Sequence, residues 1–275
     1  MKKTPNFKFF PWGLVLGAWF LGLFFSSCDN TIEGCMDPNS SNYNPNAQKS
    51  DGSCSYPSNI KKNVCFFFTD SDNNTCGTFG IPLFDQVKAA NPANTFFIAI
   101  HPNSTDTLFA PAGIDVTSAF TITGFPDFGV GDQANLLTQS AILNAIQSES
   151  AETPQGGIDV SYTTTIDSII VTIYGKFFTG DTSNYFVTAY VVENNIASTQ
   201  VGIPGSYNHQ EILRAASGPS GIGQQINTVP VSSSTSFKIR SGIAIDSVWN
   251  LSNISLVGVL WRKNGSDFEY INAGD

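Results

Sequence analysis

The chain has 275 residues, with 22 acids against 13 bases, a formal charge of −9 and only 13% charged residues. An acidic surface with no basic stripe repels phosphate backbones, which argues against nucleic acid as a partner. The length allows one large or two modest domains, each able to bury a core. Abundant Asn, Ser, Thr and Gly suit an exported β-rich protein with polar, uncharged loops.

The first segment has the three-part layout of a secretory signal. Lys2, Lys3 and Lys8 form a basic start, Pro11 to Phe25 is apolar, and the small residues Ser26 and Ser27 precede Cys28. The apolar stretch is shorter than the ~20 residues that span a bilayer comfortably, so a one-span anchor is the lesser alternative. A cysteine directly after two small residues resembles a bacterial lipobox, with Phe25 where leucine is usual. The resemblance implies a signal peptide over 1–27, cleavage before Cys28 and lipid on its sulfur. The membrane partner is then met through acyl chains, which tether without spanning.

Residues 28–59 carry GCMDPNSSNYNPNAQKSDGSCSY, a string of turns with no helical or strand period. Such a segment buries too little apolar surface to order itself unaided. Cys35 and Cys54 bracket it, and export puts them in an oxidising compartment, so a Cys35–Cys54 disulfide is expected. Closing that loop is worth roughly 3 kcal/mol by chain entropy. The stretch resembles a short Gly-Cys-x-Asp-Pro module of exported Bacteroidetes proteins, with Ser50 replacing one acid of the usual pair. Asp37 and Asp51 are the candidates for calcium, a hard cation that takes six to eight oxygens, although a purely structural spacer is favoured.

The next segment, 60–152, reads as α/β. Val64 to Thr69 and Thr95 to His101 are continuous apolar runs of the kind that form strands buried on both faces. Between them Ile81 to Ala90 has helical spacing, and Asn91-Pro92 ends it. Strand, helix, strand makes a βαβ unit with parallel strands. TITGFPDFGV reads as strand, turn and strand, and DQANLLTQSAILNAIQ as an amphipathic helix burying Leu136, Leu137, Ile142, Leu143 and Ile146.

A strand, a cysteine opening a helix, a parallel strand and an aromatic-Pro turn together resemble a thioredoxin-like domain. The surrounding sequence is similar to the outer membrane protein 28 family, lipoproteins that join such a domain to a C-terminal β-sandwich. Cys76 and Gly77 match the first half of that family's Cys-Gly-x-Cys-Pro motif, while Phe79 and Gly80 replace the second cysteine and the proline. Pro126 matches the position of the fold's cis-proline. The resemblance further implies an outer-membrane location, facing either the periplasm or the cell surface, and a role as an adhesin or receptor.

A Cys-x-x-Cys pair works because the helix N-terminus lowers the pKa of the first thiol and the second resolves the mixed disulfide. Cys76 keeps the favourable position, but Phe79 cannot resolve anything. Cys65 lies about 13 Å back along the strand at ~3.3 Å per residue, and a disulfide needs Cα atoms within about 4.4–6.8 Å. Only a loop folding back over the sheet would join them, so a buried, inert Cys65 is the simpler expectation. The incomplete dithiol weighs against an enzyme. The competing reading is an envelope thiol–disulfide oxidoreductase using Cys76 alone or with Cys65. His101, at a strand end, is expected to be a hydrogen-bonded structural residue.

TPQGG at 153–157 marks a boundary, and 153–275 reads as at least six strands separated by polar turns. The fold class expected is thus a thioredoxin-like α/β domain followed by an immunoglobulin-like sandwich. The long stretch from Ile196 to Val229 is read as a crossover. There Tyr207, His209, Leu213 and Arg214 match the family's Tyr-x-His-x-His-x-Leu-Arg, and Glu211 replaces its second histidine, which removes a zinc ligand. Asp106-Thr107-Leu108 is one of three triplets resembling a bacterial O-glycosylation sequon. No metal or other cofactor is expected beyond the calcium candidates. The function expected is non-catalytic binding of a protein or glycan ligand.

Overall fold

The structure, a computed structural model, describes residues 31–226 and 230–275. The expected leader and the lipid site Cys28 lie outside the described residues. No helix among the described residues is long and apolar enough to cross a membrane.

The N-terminal module is tied by a short parallel pair, β1 (Glu33–Gly34) and β2 (Lys49–Ser50), and by the Cys35–Cys54 disulfide, as the cysteine positions lead one to expect. Its remaining order comes from side chains. The Asp37 carboxylate accepts hydrogen bonds from the Tyr56 hydroxyl at 2.5 Å, the Asn39 N–H at 2.8 Å and the Ser236 hydroxyl at 2.9 Å. Ser236 belongs to the C-terminal half, so the module is docked on it. The Lys176 ammonium, 4.2 Å above the Tyr56 ring, adds a cation–π contact. Asp51 stays exposed, with Oδ1 accepting from the Ser53 N–H.

β3 (Asn63–Phe68) is buried at all six positions, as a continuous apolar run requires. Alternation sends Val64, Phe66 and Phe68 into one core and Cys65 and Phe67 into another. A π-type helical turn, Cys76–Gly80, leads directly into α1 (Ile81–Ala89), and β4 (Thr95–Ile100) returns parallel to β3, with Phe66 opposite Ile98. α2 (Ala112–Ala119) follows, where the sequence reading has no element. β5 (Asp127–Val130) then pairs antiparallel with β3, placing Phe128 opposite Phe67. The expected hairpin in TITGFPDFGV is therefore a single strand, because β5 finds its partner in β3 and not in Thr121–Thr123. α3 (Gln139–Ser150) begins later than expected: the Thr138 hydroxyl accepts from the Ala141 N–H and fixes the start there. Leu136 and Leu137 precede that cap, and Leu137 is exposed.

Beyond α3 the chain is all strand. β6 (Gly156–Thr164), β7 (Ser168–Phe177) and β8 (Asn184–Glu193) are joined by the hairpin of β9 (Ile196–Thr199) and β10 (Ser206–His209) to β11 (Ile212–Ala216). Short β12 (Gln224–Gln225), β13 (Ser236–Ala244), β14 (Ile254–Asn264) and β15 (Asp267–Gly274) complete the chain. β13, β7 and β6 form a three-stranded sheet in that order. It packs Ile158, Val171, Ile173 and Phe177 against Tyr185, Val187, Ala189 and Leu260 of the larger sheet. At Gly175 a Cβ would stand 2.0 Å from the Phe237 ring, so that glycine lets the ring lie across the strand.

The larger sheet runs β15-β14-β8-β11-β4-β3-β5, with β12 alongside β8. β11 joins its halves: Ile212 pairs parallel with Ala99 of β4, and Leu213 pairs antiparallel with Val192 of β8. Strands from both sides of residue 153 thus share one sheet. The cores merge as well. Trp261 of β14 lies 6.1 Å from Phe66 of β3, and Phe120, following α2, packs against both rings.

Candidate functional site

The loop between β3 and α1 is held by Asp106. One of its oxygens accepts from the Ser71 N–H and the other from the Ser71 hydroxyl, both at 2.7 Å, and Leu108 N–H donates at 2.8 Å. The same carboxylate meets His101 Nδ1 at 2.6 Å. Burial opposes ionisation of Asp106, but His101 and these donors outweigh it and hold the carboxyl well below its usual range. An ionised carboxylate is acceptor-only, so the His101 Nδ1 carries the shared proton. His101 is thus the hydrogen-bonded strand-end residue expected.

Cys76 opens the helical turn, as expected, but it is fully buried. The loop linking β9 to β10 covers it. Val201 N–H donates to the Ser71 carbonyl at 2.8 Å, and Gln200 Nε2 lies 3.2–3.3 Å from the carbonyls of Asp70, Ser71 and Asn73. At Gly77 a Cβ would meet the Val201 carbonyl oxygen at 2.1 Å, so only glycine admits this lid. The thiol responds to the cover. Burial pushes its pKa above the ordinary value, more than the Thr69 hydroxyl and the Asp70 backbone lower it, and the nearby Asp70 and Asp106 carboxylates raise it further. The favourable position at the start of a helical turn is thus kept, but desolvation is what sets the thiol's ionisation.

Cys65 faces the core beside Phe67, and burial raises its thiol far above the ordinary value. Both cysteines are free, so the alternative Cys65–Cys76 disulfide is not formed. Phe79 is 42% exposed on the turn. Pro126 follows a cis bond to Phe125 and sits against the turn's end, where a Cβ on Gly80 would be 2.8 Å from its own Cβ. Asn73 Nδ2 donates to the Phe125 carbonyl at 3.3 Å and links this proline turn to the cysteine loop.

Beside Cys76 lies a small cavity with room for about one water-sized body, lined by Phe67, Thr69, His101, Gln200, Tyr207 and His209. The centroids of the His101 and His209 rings are 5.9 Å apart at 75°. Burial, then the neighbouring His101, push His209 down to about 4, leaving its ring neutral at pH 7. Three buried polar atoms here have no hydrogen-bond partner among the described residues, His101 Nε2, His209 Nε2 and Gln200 Oε1, while the Thr69 hydroxyl meets the Cys76 thiol. Among the described residues no group of three or more His, Cys, Asp or Glu could hold a metal ion. The crossover residues form ion pairs, Lys88 with Glu211 at 2.9 Å and Arg214 with Glu193 at 3.2 Å.

The sequence carries no spacing that would bring His101 and His209 together, because they meet only through the pairing of β4 with β11. Asp106 shows only as part of a triplet, and Gln200 carries no signal at all.

Fold and site define a largely β protein in which a βαβ unit extends one sheet of a sandwich and a buried thiol adjoins a two-histidine cavity. The sequence matches no family model and no curated protein. Among solved structures, HBP35 of Porphyromonas gingivalis shares the fold, with a TM-score of 0.67 at 20% identity over 79% of this chain and 75% of that one. A domain of the outer membrane lipoprotein Omp28 from Porphyromonas gingivalis overlaps 44% of this chain and 86% of its own, at 19% identity and a TM-score of 0.31.

Proposed function

We propose that this chain is a lipid-anchored outer-membrane protein that works by binding, its α/β half being a thioredoxin-like scaffold that performs no dithiol exchange. The observation that carries the non-catalytic part is the lidded thiol: Cys76 is buried, its pKa is raised, and exposed Phe79 stands where a resolving thiol is needed. The parallel β3–β4 pair, antiparallel β5 and Pro126 beside the cysteine turn support the thioredoxin-like reading. The anchor rests on the signal layout that ends at Cys28.

Binding is supported at one tip of the sandwich. The Ile245 N–H donates to the Asp167 carbonyl at 2.9 Å, which brings the β6–β7 turn beside the loop after β13. Ile166, wholly exposed, and Val248, 71% exposed, project there from the turn and the loop, and Leu251 and Tyr162 are exposed nearby. Clustered aliphatic groups in water mark a protein contact more than a glycan one.

The test is protease added to intact cells, with a thiol–disulfide exchange assay on the purified protein in parallel. The reading expects external cleavage and an exchange rate that Cys76→Ser does not change. Full protection on intact cells ends the surface-binding role, and exchange turnover lost with Cys76→Ser revives the oxidoreductase.

A further inference from the structure

The cavity beside Cys76 has an unusual chemistry: its unpartnered atoms are nearly all electron-pair donors. His101 directs Nδ1 at Asp106, which leaves Nε2 as the ring's unpartnered nitrogen and, in the neutral ring, the one with a lone pair. Gln200 turns its amide nitrogen to backbone carbonyls, leaving Oε1 as an acceptor without a donor. His209 presents a second unpartnered Nε2, and all three side chains are at least nine-tenths buried. Leaving such groups unmatched in the interior is unfavourable. A small body carrying positive charge satisfies them together.

The donor set selects among cations. Calcium and magnesium demand six or more oxygens. Zinc takes four ligands in closed sites, or three protein ligands where one position stays open. Two imidazoles with one weak carbonyl oxygen suit an ion content with two strong nitrogen donors, a coordination number that monovalent copper accepts, and imidazole is among copper's usual ligands. Charge points the same way. One carboxylate, Asp106, is bonded to this ring pair, through His101 alone, and it balances a single positive charge, whereas a divalent ion leaves an uncompensated buried charge. At about 2.0 Å per metal–nitrogen bond, one ion can bridge rings whose centroids are 5.9 Å apart. The carboxylate behind His101 is the outer-shell partner that metal-bound histidines commonly have.

We propose that His101 Nε2 and His209 Nε2 together bind one monovalent copper ion, with Gln200 Oε1 as a weak third donor. The site is independent of whether the chain binds partners at the cell surface.

The test is anaerobic copper(I) titration of the full chain against a coloured copper(I) chelator, repeated on Cys76→Ser. One equivalent is expected in both, because the ligands are the histidines and not the thiol. His101→Gln and His209→Gln should each weaken binding by more than the ~10–100-fold that Asp106→Asn causes as an outer-shell change. If the glutamine variants fail to fold, the wild-type chain still decides. It has two histidines in all, so imidazole 15N spectra contain two rings, and silver(I) as a redox-inert stand-in should shift the Nε2 of both. No stoichiometric binding, binding lost with Cys76→Ser, binding kept in His209→Gln, or rings unmoved by silver would each overturn the proposal.

Discussion

Gly77 is the residue on which the cover over Cys76 depends. Its missing Cβ is the space that the Val201 carbonyl occupies, and a backbone oxygen cannot swing away as a side-chain tip can. Gly77→Ala should therefore lift the loop between β9 and β10, at a cost of about 1–3 kcal/mol from overpacking. The wild-type thiol should react slowly with alkylating reagents at pH 7–9 and speed up only above the ordinary thiol pKa of ~8.5. In Gly77→Ala, Cys76 alkylation should quicken and its pH profile should move down toward that ordinary value. An unchanged rate would mean that the loop is not what covers the sulfur. Position and partner loss at Cys76 were legible in the sequence. The lid was not, because a glycine within a degenerate motif reads as motif and not as clearance for a loop more than 120 residues away.

Among the elements, legibility followed how locally each is determined. β3, β4 and α1 are written in uninterrupted apolar runs and a breaker at Asn91-Pro92, and they stand within a residue of where the sequence puts them. α2 was missed because its glycine, threonine and serine dilute the helical period, and its burial rests on Gly113 and Val116. The apolar pattern runs on through Leu136 and Leu137 and so suggests an earlier start for α3, whereas the Thr138 cap sets the boundary. The N-terminal module was legible as a disulfide loop but not as a docked one, since Ser236 is remote in sequence. Burial raises the pKa of Asp37, but the Tyr56, Asn39 and Ser236 donors outweigh it and the net shift is downward. The charged form is thus favoured in the folded state. Its docking contribution is complete well above pH ~3.9, the ordinary Asp value, and fades as pH falls through the lower folded one. Hydrogen exchange at backbone amides of the module should be protected at pH 6 and lose protection as the pH falls below the ordinary Asp value of ~3.9. Asp37→Asn should show the weaker protection at both, and equal protection in the variant would exclude the carboxylate as the latch.

At the level of the whole molecule, two segments that look separable in sequence are one sheet. Pairing of β11 with both β4 and β8, and the Phe66–Phe120–Trp261 contact, give the halves shared backbone bonds and a shared core. Unfolding in guanidinium should then be a single transition. Fluorescence, reporting on Trp249 and Trp261 in the sandwich, and reagent access to Cys65 in the α/β half should change at one midpoint. Two separated midpoints would show that β11 does not couple them. Nothing in the composition near residue 153 could have revealed this, because the joining strand lies about 60 residues farther on.

The place of β11 also dictates when the protein can be finished. Until the whole chain has reached the compartment where it folds, β4 presents a bare row of amides and carbonyls on its outer side, the kind of edge that recruits foreign strands. That edge gains its partner only once Glu211 and Ile212 arrive to bond and pair with Ala99. A piece ending near residue 152 would keep it open permanently, so shortened versions of this protein should clump where the complete chain stays dispersed.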